Sequence, residues 1–385
     1  MSLARDIADL ASVTARLDTV GASEGALGNK NLIINGGMQV WQRATSATAI
    51  SNSTYGTVDR YKFWESTDGA YTAEQSTDVP SGQGFTYSTK LVVTTADTSI
   101  AAGQYAQFAQ RVESQNLQQL CYGTSAAKTI TISFWVKSSK TGNYAFNLYK
   151  SPAGNTAYVY YKSFSIDIAN TWEKKTITVS PTAGSTSFLT ASAGGINASN
   201  AVGMEVFFTL AMGSTYQGAT DNSWSSNGNH FTVSSNVNWM DSTSNNFYIT
   251  GLQMEVGSKS TDFEHRSFGD QLKSCQRYYL QMNGNSSDRL GIGGYATSAS
   301  EARMDVVFPC SMRAAPTISG TGTAQFDANA DSADWNCSAL TIDEAPTGTV
   351  SSLGIQIGST SSMTAGQSGG FRFTSTGTLS FSAEL

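Results

Sequence analysis

Apolar and polar side chains alternate with a period of two along most of this chain. That is the signature of half-buried strands, and Gly-, Ser- and Asn-rich breaks separate the runs. The series opens at NLIINGGMQVWQR, where Leu32, Ile33 and Ile34 begin a strand that Asn35, Gly36 and Gly37 turn or bulge. Tyr61, Phe63 and Tyr71 form an early group, followed by runs at 87–94 and 106–112. In ITISFWVK, the residues Ile130, Ile132, Phe134 and Val136 share one face. Residues 144–150 and 158–168 form a hairpin around the SPAGN turn at 151–155. Runs at 172–179 and 204–210 come next. The last run places Tyr248, Thr250, Leu252, Met254 and Val256 on one face. Strands so regularly spaced predict a β-sandwich.

The period lengthens in two places. Across residues 2–20, Leu3, Ile7, Leu10, Thr14 and Leu17 follow steps of four and three, the seam of a coiled coil. A helix this short needs company, so the seam predicts a closed oligomer, with three copies the favoured arrangement, or attachment to another protein. The GASEGALGN stretch at 21–29 reads as a flexible linker. Beyond a turn at 257–260, Phe268, Leu272, Cys275 and Tyr279 fall at helical spacing, with Asp270 in the first turn. Shorter strands then recur, at 290–295, 303–308, 317–319, 325–326, 338–342, 353–357, 370–374 and 379–381. The division expected is 1–29 (helix and linker), 30–266 (first sandwich) and 267–385 (connector helix and a second, smaller β-sandwich). The fold class expected is mostly β.

Composition changes the picture in one respect. Charged residues make up only 14% of the chain, against roughly 25% in ordinary domains, yet hydrophobics at 39% exclude disorder. The result is an uncharged-polar β protein, suited to conditions outside a cell. A net charge of −6, with scattered Lys and Arg, argues against a nucleic-acid partner. Cys121, Cys275, Cys310 and Cys337 show no metal spacing, and with His230 and His265 far apart a zinc site is not expected. The thiols read as buried and unpaired. No apolar run approaches a membrane span and no signal peptide is visible, so a soluble chain is expected.

Two stretches carry a resemblance. NLIINGG resembles the opening strand of jelly-roll carbohydrate-binding modules, and SFWVK, WEKKTITV and ITGLQMEVG follow in the order of that fold's motifs. Gln42-Arg43, VDRY at 58–61 and TDFEHRSFGDQLKSCQRYY at 261–279 resemble more specifically a family of bacteriophage tail-fibre, spike or head-decoration proteins of marine and cyanobacterial phages. The likeness brackets residues 31–282 and weakens beyond, where MDVVFPCSMRAAPTIS still resembles it. It implies a jelly roll, a location on the virion, partners among other virion proteins through the N-terminal segment, and a structural or adhesive role. A structural calcium near Asn35 would follow from the jelly-roll likeness, although no carboxylates stand obviously beside it.

Candidate chemistry is sparse. Asp59 with Glu65, or Glu255 with Glu264, could supply an acid and base for glycan cleavage, but the residues at 264–266 read better as a structural cluster. No G-x-S-x-G elbow or phosphate loop occurs in a suitable setting. Neither a catalytic residue nor a cofactor is therefore expected. Sugar binding is better supported, because sugars present flat apolar faces to aromatics and hydroxyls to amides. The Ser/Asn/Gly-rich stretch 213–246, read as a long ordered loop or loose hairpin, contains Tyr216, Trp224 and Trp239, and these three are the expected glycan contacts. The functions left open are a fibre or spike subunit that binds host-surface glycans, a decoration protein without a tight ligand, and a depolymerase.

Overall fold

The computed structural model describes residues 29–152, 155–285, 289–322, 324–328, 333–342, 350–359 and 363–385. The expected N-terminal helix, with Leu3, Ile7, Leu10 and Leu17, lies outside the described residues. Contacts divide the chain into two units, one ending at Ser267 and one beginning at Phe268.

The first unit contains twelve strands: β1 (Ser46–Ile50), β2 (Tyr61–Glu65), β3 (Ala70–Ser76), β4 (Ser88–Thr95), β5 (Tyr105–Glu113), β6 (Ile130–Ser138), β7 (Gly142–Lys150), β8 (Tyr158–Ile166), β9 (Glu173–Val179), β10 (Val202–Met212), β11 (Ser223–Ser225) and β12 (Asn246–Val256). They form two six-stranded antiparallel sheets, in the orders β1-β3-β4-β12-β6-β9 and β11-β8-β7-β10-β5-β2. The inner faces share one core. Phe134 of β6 meets Phe208 of β10 at 4.9 Å, Phe164 of β8 at 5.3 Å and Phe146 of β7 at 6.0 Å. The mostly-β expectation holds, and the 144–150 and 158–168 runs do pair as a hairpin.

Two details differ from the pattern. The NLIINGG stretch is not a strand: it lies alongside β12 as an irregular segment held by two backbone bonds, Leu32 to Met254 and Leu252 to Gly36, and by its side chains. In β12 the alternation changes phase. Phe247 and Ile249 are buried in its first half, Leu252 and Met254 in its second. The register shifts between Thr250 and Gln253, where Gly251 takes φ of +65°. An extra residue at such a bulge flips the faces beyond it. Tyr248 is therefore on the outside, and Val256 is exposed.

The opening segment at 29–36, the second half of β12 and the 264–266 stretch meet in space. Asn31 donates through Nδ2 to the Leu252 carbonyl at 3.1 Å, while its Oδ1 accepts from the Ile33 and Met254 amides, each at 3.0 Å. Glu264 accepts from the amides of Asn29 and Asn31, and Arg266 donates to the Asn31 carbonyl at 3.0 Å. Burial pushes the Glu264 carboxyl up, but Arg266 and the two amides outweigh it and hold the group below its ordinary range. Gly36 closes the clasp: a Cβ there would sit 2.0 Å from the Leu252 carbonyl oxygen. Asn35 Oδ1 accepts from the Gln39 and Val40 amides, so this side chain organises a turn. Asn31→Ala leaves a buried carbonyl and two buried amides without partners and should cost about 2–3 kcal/mol, read as a lowered denaturation midpoint. A midpoint unchanged from wild type would contradict the clasp.

In the second unit, helix α1 (Phe268–Gln276) precedes β13 (Tyr279–Gly284), β14 (Arg289–Ala296), β15 (Glu301–Met312), β16 (Thr317–Thr321), β17 (Ala324–Ala328), β18 (Ala333–Ile342), β19 (Val350–Ser359), β20 (Ser368–Phe373) and β21 (Gly377–Ser382). The helix is shorter than its spacing suggests. It buries Gln271 and Cys275, leaves Phe268 exposed, and ends before Tyr279, which belongs to β13. Six strands close into a barrel, β14-β15-β19-β18-β17-β20, and β13-β21-β16 form a separate sheet. Where a second, smaller β-sandwich is expected, the strands instead form a closed barrel and a separate three-stranded sheet. On β15 Met304, Val306 and Phe308 are buried, whereas Arg303, Asp305 and Val307 are exposed. The four cysteines are free thiols, and Cys275 alone among them is fully buried.

Candidate functional site

The outward face of the sheet containing β2, β5, β10 and β7 is unusually aromatic. Parity explains how. In YKFWE, Tyr61, Phe63 and Glu65 are buried between the sheets, which turns Lys62 and Trp64 outward. The same alternation puts Tyr105, Gln107 and Arg111 of β5, Glu205, Phe207 and Thr209 of β10, and Asn147 and Tyr149 of β7 on that face. Register then aligns them in rows. Arg111, Glu205 and Tyr149 stand side by side, as do Trp64, Gln107 and Thr209.

The 213–246 stretch folds over this face. Phe231 meets Phe207 edge-on at 5.6 Å and stacks along Tyr149 at 6.2 Å, while Tyr216 meets Tyr105 at 5.9 Å. Its backbone is tied to the sheet through Asn147, which donates to the Phe231 carbonyl at 2.8 Å. Thr209 donates to Asn147 Oδ1 and accepts from Gln107, each at 2.8 Å. Between loop and sheet lies an open cleft of about 240 Å³, lined by Trp64, Tyr105, Tyr149, Phe207, Tyr216 and Phe231, together with Gln107, Glu205, Met212 and Gly228. That is below the roughly 300–1,000 Å³ of a drug-sized pocket, so it suits one ring of a longer chain.

Glu205 is the one carboxylate among the described residues lining the cleft, and Arg111 holds it at 2.9 Å. Burial and the nearby Arg111 lower the Lys62 amine from its usual range, with Glu205 acting the other way. Burial, reinforced by Glu205, raises the Tyr149 phenol.

Of the three aromatics expected to bind sugar, the structure places one in the cleft. Tyr216 lines the cleft. Trp224 and Trp239 are core residues, 2% and 0% exposed, and cannot stack on a ligand in this fold. Trp224 pairs with the β8 backbone, packs on Tyr160 at 5.4 Å and donates to the Ser180 carbonyl at 3.0 Å. Trp239 meets Tyr71 edge-on at 5.7 Å. The other strand aromatics that line the cleft, Trp64, Tyr105, Tyr149 and Phe207, carry a signal in the sequence. Each is a large ring at the outward phase of a strand whose inward phase is already apolar.

Two catalytic constellations dissolve on inspection. The weighed carboxylates serve backbone and neighbours: Glu255 accepts from Thr261 and Gln253, Asp59 from Gln42, and Glu65 from Thr67. Ser225 lies 2.9 Å from His230 Nδ1, a nucleophile-and-base spacing. However, Asn227 Oδ1 accepts from the Asn229 amide, which fixes Asn227 Nδ2 as the donor to His230 Nε2 at 2.9 Å. The ring proton is then on Nδ1 and is donated to Ser225, so the imidazole has no lone pair with which to activate that hydroxyl.

Similar solved structures are mostly carbohydrate-binding β-sandwiches. A candidate sugar-binding protein from Bacteroides thetaiotaomicron aligns at 10% identity over 59% of this chain and 100% of its own, with a TM-score of 0.33. The family 11 carbohydrate-binding module of a Clostridium thermocellum cellulosomal cellulase aligns at 11% identity over 57% and 98%, with a TM-score of 0.27. A tandem pair of family 22 modules from Paenibacillus barcinonensis aligns at 9% identity over 90% and 93%, with a TM-score of 0.26. No family model matches the chain, and no curated protein matches it. At these scores the cleft's own residues must carry any functional reading.

Proposed function

We propose that this chain is a non-catalytic glycan-binding protein, carried on a bacteriophage particle as a fibre or spike subunit. The observation that carries the binding reading is the aromatic cleft between the sheet and the 213–246 loop. It offers ring faces for a sugar, while Gln107 and Glu205, the latter held by Arg111, supply polar groups in its lining. A glycosidase needs two carboxyl groups roughly 5–10 Å apart across the bond it cleaves, and the cleft lining provides one. The virion setting rests on the likeness of Gln42-Arg43 and the 58–61 and 261–279 stretches to phage fibre and decoration proteins. A single shallow site would bind weakly, so adhesion would draw on several copies engaging together, which fits the four-and-three spacing of Leu3, Ile7, Leu10 and Leu17 in the sequence.

The test is binding of the intact chain to immobilised bacterial envelope polysaccharides, with Trp64→Ala and Tyr149→Ala beside wild type. One lost stacking contact is expected to weaken affinity about five- to ten-fold, without release of reducing ends. Wild-type affinity in both variants would move the site off this cleft. Turnover that depends on one carboxylate would replace the binding reading with a depolymerase.

A further inference from the structure

Beside the cleft, cations and rings alternate. Arg43 Cζ lies 5.6 Å from the Tyr55 ring centre, and Lys62 Nζ lies 5.8 Å from that ring and 3.6 Å from the Trp64 ring. Arg111 Cζ lies 5.0 Å from Trp64. The two guanidinium groups have acidic partners, Asp59 for Arg43 at 3.6 Å and Glu205 for Arg111 at 2.9 Å. Lys62 has ring faces but no carboxylate within ion-pair distance among the described residues. It is half-buried, on the same face of β2 as Trp64 and two residues before it, so one positive charge is left over at the edge of the sugar-sized cleft.

We infer that the ligand is an acidic glycan, whose carboxylate or sulfate meets Lys62 Nζ while an adjoining ring packs in the cleft. This rests on the cleft being the glycan site. A neutral sugar could only accept an ordinary hydrogen bond from Lys62 through a hydroxyl. An anion would form a charge-assisted hydrogen bond with it and relieve the crowding by Arg111 that, after burial, depresses the amine's affinity for its proton. The chain as a whole is acidic, at −6, so non-specific attraction of polyanions is opposed and the local cation becomes a selector. The plainer role for Lys62 is a cover over the Trp64 ring, and the two roles separate experimentally.

The intact chain is titrated with polygalacturonate, alginate and hyaluronan oligosaccharides, and with the same oligosaccharides after carboxyl reduction, which keeps the rings and linkages but removes the charge. Carrageenan and its desulfated form test sulfate as the source of the anion. The expected result is binding to at least one acidic form that falls about ten-fold or more on neutralisation, with the same loss in Lys62→Ala and none in Lys62→Arg. Whichever pair shows the drop names the anion. Equal affinity for charged and neutral forms overturns the inference but keeps the cleft, provided Trp64→Ala weakens both. An equal loss on both forms in Lys62→Ala makes the lysine a prop for Trp64 and also overturns it. Binding to neither form in any pair overturns inference and cleft together. Thermal unfolding of each variant confirms that folded protein is being compared.

Discussion

Trp239→Ala is expected to lower the stability of the first unit by about 3–5 kcal/mol, the range for removing a large aromatic from a packed core. Trp239 is fully buried, sits against Tyr71, and belongs to the same core as Phe63 and Met240. The deletion would leave a cavity that neighbours on two sheets could fill only in part. For a unit of this size the loss corresponds to a fall in melting temperature of roughly 10 °C or more. The residue lines no part of the cleft, so affinity per folded molecule should be unchanged. Differential scanning calorimetry combined with binding on the same preparation checks both halves. A small thermal shift with lost binding would return Trp239 to the ligand site.

A second large effect should appear as a pH dependence of stability. Glu65 faces inward from β2, and its side chain accepts from the Thr67 amide at 2.7 Å and from the Thr67 hydroxyl. Burial raises its carboxyl to about 7; the Thr67 bonds act against this, and Asp97 adds to it. Below the ordinary value of 4.5 the group is protonated in both folded and unfolded chains, so it has no differential effect. Between 4.5 and about 7 the unfolded chain ionises while the folded one keeps its proton, and stability falls as pH rises. Above that range both are ionised, and the full penalty is on the order of 3 kcal/mol. Glu264 has the opposite slope: its depressed carboxyl contributes stability that is lost as pH falls through its folded-state value. Urea denaturation of wild type and Glu65→Gln at pH 5 and pH 8 should show a fall in wild-type stability that the variant lacks. Parallel behaviour of the two chains would mean that Glu65 is ionised in the fold without penalty.

What could be read in the sequence, and what could not, follows from the range of each interaction. Local alternation located β6, β7, β8 and β10 because each strand's own side chains record which face is buried. It misjudged β12, since a bulge at Gly251 changes phase without changing composition. Closure of the second unit's barrel depends on β14 pairing with β20, more than seventy residues away, and no local pattern records that. The loop was recognised as ordered and aromatic, but its rings divide between core and cleft. Trp224 and Trp239 point into the sandwich, and Tyr216 and Phe231 close on the sheet. Which way a ring turns depends on what the loop covers. Trp64 is legible in principle, as a large aromatic two residues from Lys62 on the solvent phase of a strand, and such a ring marks the candidate cleft better than loop composition does.

The proposed glycan lies between the β2-β5-β10-β7 face and the 213–246 loop. Hydrogen exchange measured with and without a bound oligosaccharide tests it most directly, because it needs no substitution. The account predicts slowed exchange in peptides covering 214–232, with smaller effects at the ends of β5 and β10. Protection confined to β4, β6 and β12, where Trp172 and Tyr248 lie on the other sheet's outer side, would contradict it.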